Sequence, residues 1–346
     1  MHWPPGQEPV LESYFGTWDA GLYLRLAVYG YQKGNLCCAF YPLWPMLIRC
    51  ASWLAPGHLV LCGLVLANLF SIAGCYWFYR LVEQYDGEET AGSALILLLA
   101  FPGALFFNLI YTEPLFLMLV ILFFRYLFKE RYLASCACGF LLPLTRSIGI
   151  LCIIPAGWYF VEKNWPVVRS DWRAGMRGAA LKVGLPALGV LTGIGAYFTF
   201  MRVAAGNAWE GFDAQCNFGD GVHHPSIANI FDVPGFLRAA ANVGSFHEMF
   251  DSFLDRWLFL MLLLALPGIW RLNKTLFFYA LASGVVPAMS NWFFSYTRFF
   301  ILCFPIFIVL AIRLRGRPML FWYVTGLAGA VQVILLLRDI NYYWAG

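Results

Sequence analysis

Charge is what this chain of 346 residues lacks: its 23 Lys and Arg and 19 Asp and Glu make up 12% of the sequence, about half the share in an ordinary soluble domain. A soluble enzyme is thereby excluded. The formal net charge is +4, and the Lys and Arg fall in a few short loops with no single basic face, so nucleic-acid binding is not indicated. Metal-type spacing is missing as well. Among 10 cysteines there is no CxxC and no Cys/His ligand pattern, and Cys62, Cys75, Cys136, Cys138, Cys152 and Cys303 lie inside apolar runs, where they read as small hydrophobes. Cys37, Cys38 and Cys216 lie in or beside polar segments, which leaves one bridge among them open. The opening MHWPPGQEPVLES has neither a basic n-region nor an apolar h-region, so no cleavable signal peptide is expected. Internal repeats and low-complexity tracts are absent.

What is there is apolar. Hydrophobic residues make up 61% and aromatics 18%, mean hydropathy is +0.68, and the runs between charge clusters are long enough to cross a bilayer. The sequence therefore predicts an all-α polytopic membrane protein. Spans are expected near 58–80, 90–110, 113–129, 132–145, 147–161, 178–201, 256–271, 275–291, 297–313 and 318–338. The segments 132–145 and 147–161 are too short to cross alone, at about 20 Å each against a hydrocarbon core of about 30 Å. The break between them, Leu144-Thr145-Arg146-Ser147, is expected at membrane depth, where irregular backbone survives only beside a wet cavity or buried in protein.

Alternating these spans puts Arg125/Lys129/Arg131, Lys163/Arg169/Arg173/Arg177, Arg271/Lys274 and Arg313/Arg315/Arg317 on one side, expected to be cytoplasmic. The acid-rich opposite side receives residues 1–57, the FNLIYTEP turn, residues 202–255, the NWFFSYTR turn and the C-terminus. Four regions follow. Residues 1–57 are an outer loop of short interfacial helices, 58–201 and 256–346 are membrane helices, and 202–255 form an outer subdomain.

Chemistry is expected on that outer side. In Thr17-Trp18-Asp19, Thr17 is expected to cap a helix DAGLYLRLAVYGY, with Asp19 in its first turn and Tyr23 one turn on along the same face. An Asp there serves the helix dipole; pressed onto the membrane beside a tryptophan, it is also a candidate base. Thr112-Glu113-Pro114 has the composition of a helix start, with Thr112 as cap, yet the turn is so short that Glu113 must lie near the membrane face, where ionisable groups are functional candidates. Arg146, between two half-spans, needs an anion, because an unpaired guanidinium in the membrane costs at least about 2.5–3.5 kcal/mol. Its partner is either a carboxylate such as Glu113 or the phosphate of a lipid-linked substrate. Arg298 in SYTRFF poses the same question, with snorkelling as the plain alternative. His223-His224 lacks spaced partners for a metal.

Taken in order, WDAGLYLRLAVYGY, AFYPLWPMLIR, FNLIYTEPLF, LTRSIGIL and SYTRFFILCFPIFIVLA resemble the PIG-V-type mannosyltransferases (GPI mannosyltransferase II and its bacterial relatives), membrane glycosyltransferases of the GT-C class. The loop GNAWEGFDAQ is closer to the bacterial members. Members of that family normally carry a membrane helix ahead of the WD block, whereas residues 1–16 here are polar and proline-rich. The resemblance implies a GT-C fold with about ten transmembrane segments, an outer catalytic cavity, and inverting transfer of mannose or a related hexose. The donor would be a polyprenyl-phosphate sugar, the acceptor a lipid-linked molecule or glycan.

The same resemblance maps the catalytic base onto Asp19, with Trp18 beside it, and its other shared blocks onto Glu113, Arg146 and Arg298; by their charge Arg146 and Arg298 are expected to bind the donor phosphate, and Trp18, Tyr23, Arg25, Tyr111 and Glu113 are expected to contact substrate. It names no certain cofactor and leaves a divalent metal open. A bacterial inner membrane, or an endoplasmic reticulum membrane, is the expected location. The competing expectation is a transporter or flippase for a lipid-linked sugar.

Overall fold

The computed structural model of the protein describes residues 11–170, 179–217, 226–231, 237, 254–289 and 295–343. Every regular element among them is helical. The chain enters through a 3-10 turn (Leu11–Gly16), α1 (Trp18–Tyr29), a second 3-10 turn (Leu36–Ala39) and α2 (Leu43–Ser52). A long kinked helix α3 (Leu59–Ala100), a 3-10 turn (Pro102–Phe107), α4 (Glu113–Phe128) and α5 (Tyr132–Thr145) follow. After a further 3-10 turn (Ser147–Cys152) come α6 (Ile153–Ser170), α7 (Ala179–Ala205) and the short α8 (Glu210–Cys216). The C-terminal part holds α9 (Leu254–Leu272), α10 (Lys274–Ala288), α11 (Tyr296–Leu302), α12 (Pro305–Leu314) and α13 (Pro318–Ile340).

Three of these helices, α3, α7 over Lys182–Ala205, and α13, are long and apolar enough to cross a membrane. The pair α11 and α12 qualifies as a fourth if counted as one span, although its two halves are bent by 74°. The molecule is an all-α protein built on membrane-length helices.

Several expected spans change shape for local reasons. The spans at 58–80 and 90–110 are one helix kinked at Asp86 and Gly87, where Gly87 takes φ 82°. Its second half stops at Ala100, because Phe101 precedes Pro102 and takes extended dihedrals. Residues 101–112 then run as non-α backbone, buried except at Asn108 and tied to α3 where Ser71 Oγ donates to the Phe107 carbonyl at 2.5 Å. The span at 297–313 breaks at Cys303–Phe304, since Pro305 suits the first turn of a helix and not its interior. The break at LTRS is as expected: α5 ends at Thr145 and Arg146 is extended, with φ −154° and ψ 156°. The chain after it first makes a 3-10 turn, and a Cβ at Gly149 would lie 2.2 Å from the Leu142 carbonyl oxygen. Only glycine permits that fold-back. No bridge joins Cys37, Cys38 or Cys216, and all ten cysteines are free.

The most extensive helix pairing is α5 against α7. Gly189 and Gly193 make it possible, since Cβ atoms there would sit 2.2 and 2.3 Å from the carbonyl oxygens of Cys136 and Phe140. This is the small-xxx-small device that lets helix backbones touch in lipid. Long-range bonds also sort the polar loops by end. Lys163 meets Glu130 at 2.9 Å, Arg125 donates to the Arg80 carbonyl at 3.1 Å, and Arg315 pairs with Asp86. The basic loops therefore gather at one end of α4, and its other end, about 24 Å away at 1.5 Å per residue, is Glu113.

Candidate functional site

Four separate elements meet at Glu113. Arg298 projects from α11, and its Nε donates to Glu113 Oε1 at 2.5 Å while Nη1 donates to Asp19 Oδ2. Arg146, at the break after α5, sets Nη1 2.7 Å from the same Glu113 Oε1 and donates to Thr112 Oγ1, also at 2.7 Å. The carboxylate of Glu113 is 0% exposed and that of Asp19 15%. Two carboxylates and two guanidiniums therefore balance in a cluster whose Asp19 and Arg146 are its more exposed members, at 15% and 10%. Aromatic rings enclose it: the Arg298 guanidinium lies 5.2 Å from the Phe106 ring centre and 4.7 Å from that of Tyr111, and Arg146 lies 5.3 Å from Phe299.

The backbone that presents these side chains is held in unusual conformations. Trp18, directly before Asp19, has φ 51°, and Ser295, three residues before Arg298, has φ 65°. Left-handed non-glycine residues cost energy and persist where surrounding structure over-determines them. For Arg298 that support is Asp255, buried at 4% exposure, whose Oδ1 accepts from both the amide and the hydroxyl of Thr297 at 2.8 Å.

Of the residues named from sequence, Asp19, Glu113, Arg146 and Arg298 form the cluster itself. Tyr23 is buried beside it, its hydroxyl 3.4 Å from Thr112 Oγ1, and Tyr111 stacks on Arg298. Arg25 stands apart. It is exposed on the side of α1 away from Tyr23 and lines a shallow cleft with Gln32, Asn35 and Cys37. The expected caps are corrected too: Thr17 occupies the cap position but its hydroxyl donates back to the Tyr14 carbonyl at 3.2 Å, and Thr112 makes no cap bond because Arg146 takes its hydroxyl oxygen. Sequence reasoning missed Thr112 as an arginine acceptor and Asp255 as support for α11. The first had a signal in its adjacency to Glu113, and the second had none.

The segment between α1 and α2 is fastened to α7 and to the short α8. The Gly34 amide donates to Glu210 Oε1 at 2.5 Å, and the rings of Tyr41 and Tyr197 stack at 4.7 Å. Burial pushes the Cys37 and Cys38 thiols up from their ordinary values, which leaves little thiolate for nucleophilic chemistry. Among the described residues, no three His, Cys, Asp or Glu side chains are grouped to hold a metal ion. His223, His224, Arg173, Arg177 and most of the expected 202–255 subdomain lie outside the described residues.

Fold and site together define an all-helical protein with membrane-length apolar helices and a buried carboxylate–guanidinium cluster at one end. No family model, curated protein or solved structure matches the chain.

Proposed function

We propose that this protein is an inverting membrane glycosyltransferase of GT-C type, with about ten transmembrane segments, that moves mannose or a related hexose from a polyprenyl-phosphate donor to a lipid-linked or glycan acceptor. The observation that carries the proposal is the convergence of Asp19, Glu113, Arg146 and Arg298 from four distant stretches, each inside a block that resembles the PIG-V-type family. The site faces the extracytoplasmic side of a bacterial inner membrane or of the endoplasmic reticulum, opposite the basic loops.

The roles follow from which atoms are committed. Asp19 uses Oδ2 for Arg298, while Oδ1 has no hydrogen-bond partner among the described residues and the carboxylate reaches solvent. Asp19 Oδ1 takes the proton of the acceptor hydroxyl as that oxygen bonds to the anomeric carbon and the bond from that carbon to the phosphate oxygen breaks. A β-linked donor then gives an α-linked product. Polyprenyl phosphate leaves without a general acid, and its charge needs donors. Arg146 commits only Nη1 among the described residues, so its Nε and Nη2 edge is open to a phosphate. Glu113, fully buried between both arginines, orients them, and Trp18, Tyr23 and Tyr111 are assigned to substrate contact.

A second reading, a lipid-linked sugar transporter, draws on the two interrupted segments at Arg146 and at Cys303–Phe304. Purified protein supplied with labelled polyprenyl-phosphate mannose and a lipid acceptor extract separates the two, because a transporter makes no glycosidic bond. Asp19→Asn is expected to lose at least about a hundredfold in transfer, as removal of a general base does, with unchanged membrane insertion. Wild-type transfer by that variant overturns the assignment of the base, and no transfer by the native protein overturns the enzyme reading.

A further inference from the structure

The last membrane-length helix ends on a carboxylate that the cluster described above does not use. Asp339 is 2% exposed, and its Oδ1 accepts no hydrogen bond from any described residue. Tyr111 is 1% exposed, and its hydroxyl likewise has no partner among the described residues. Both belong to one neighbourhood. The end of α13 packs on the Pro102–Phe107 turn that leads to Tyr111, and the Tyr342 ring, three residues beyond Asp339, lies 5.4 Å from that of Tyr14 on the approach to Asp19. The charges of Asp19 and Arg298 act on Asp339, and that of Asp339 acts on Tyr111.

A buried donor and a buried acceptor, each left without a partner, are expensive, and the great majority of such groups in folded proteins are satisfied. An ionisable group near the end of a membrane-length helix is likewise retained for function more often than for stability. The chemical group that satisfies both atoms at once is a hydroxyl, which accepts from the Tyr111 phenol and donates to the Asp339 carboxylate. We propose that Tyr111 and Asp339 form a hydroxyl-binding subsite beside Arg298, which takes one hydroxyl of the sugar carried by the donor. This rests on the glycosyltransferase reading and adds to it the atoms that select the sugar.

The test uses the full chain in detergent with Tyr111→Phe, Asp339→Leu and Asp339→Asn. Binding of polyprenyl-phosphate mannose is followed by thermal shift, and transfer is followed by label. Tyr111→Phe keeps the ring on Arg298, and Asp339→Asn keeps an acceptor oxygen, so both are controls for folding. Tyr111→Phe and Asp339→Leu are expected to weaken donor binding about tenfold to a hundredfold, with Asp339→Asn falling between them and the native protein. Among donors lacking single hydroxyls, one is expected to bind native protein and both variants alike. Unchanged donor affinity in the variants, or equal sensitivity to every deoxy donor, overturns the subsite while leaving transfer intact. If the native protein neither binds nor transfers this donor, the glycosyltransferase reading fails. The subsite is then judged by free mannose, glucose and inositol: stabilisation of the native protein but not of the variants supports it, and stabilisation of neither, or of both equally, overturns it.

Discussion

Replacing Glu113 with Gln removes one negative charge and almost no volume from the centre of the cluster. Glu113 Oε1 receives Arg298 Nε at 2.5 Å and sits 2.7 Å from Arg146 Nη1, at 0% exposure. The substitution leaves two guanidiniums facing one carboxylate. Removing one partner of a buried ion pair costs about 3–5 kcal/mol, because the other charge stays buried and uncompensated. Arg298 keeps Asp19, whereas among the described residues Arg146 keeps as hydrogen-bond partner the neutral hydroxyl of Thr112, so most of the loss is expected to come from Arg146. Thermal unfolding in detergent, followed by size-exclusion recovery, measures the loss. Adding Arg146→Gln to Glu113→Gln is expected to cost less than the sum of the singles by about 0.5–3 kcal/mol, the range for groups in one network. A Glu113→Gln protein that melts with the native one, or a double variant that is simply additive, refutes the argument that these residues form one charge-balanced unit.

Other expectations concern parts of the molecule that act separately. Arg146→Ala is expected to weaken donor binding or turnover by at least about tenfold, the scale of one charge-assisted contact; donor kinetics equal to the native protein's count against a phosphate role. Gly193→Leu places a side chain where a Cβ alone would be 2.3 Å from the Phe140 carbonyl, so the α5–α7 crossing is expected to separate, with a loss of at least about 1–3 kcal/mol. Maleimide labelling of the thiols is expected to mark exposed Cys50 first. Cys37 and Cys38, buried and with thiols pushed up, hold their protons at neutral pH and gain reactivity only as pH rises beyond the ordinary thiol range. Prompt labelling of Cys37 or Cys38 at neutral pH contradicts their placement.

The break at Arg146 was legible in the chain because it is a matter of length: two apolar stretches, each too short to cross, with one charge between them. The ends of α3 and the bend before α12 were less so, since a hydropathy window averages over Gly87, Pro102 and Pro305 instead of registering the single dihedral each imposes. Thr17 and Thr112 show the same limit from another direction. Both stand where a helix cap belongs, but a hydroxyl that can cap can also bond elsewhere, and Tyr14 and Arg146 compete for these two. Arg25 shares α1 with Asp19 yet points elsewhere, so membership of a motif did not secure membership of the site.

What composition and order settle is local: scarce charge and long apolar runs favour helices and a membrane before any contact forms. Which charges meet is not local. Arg298 lies 279 positions from Asp19 and 185 from Glu113, and no spacing rule reaches so far. Those pairings exist because α11 is anchored by Asp255, because the chain folds back at Gly149, and because the buried guanidiniums of Arg146 and Arg298 are stable where other elements deliver carboxylates.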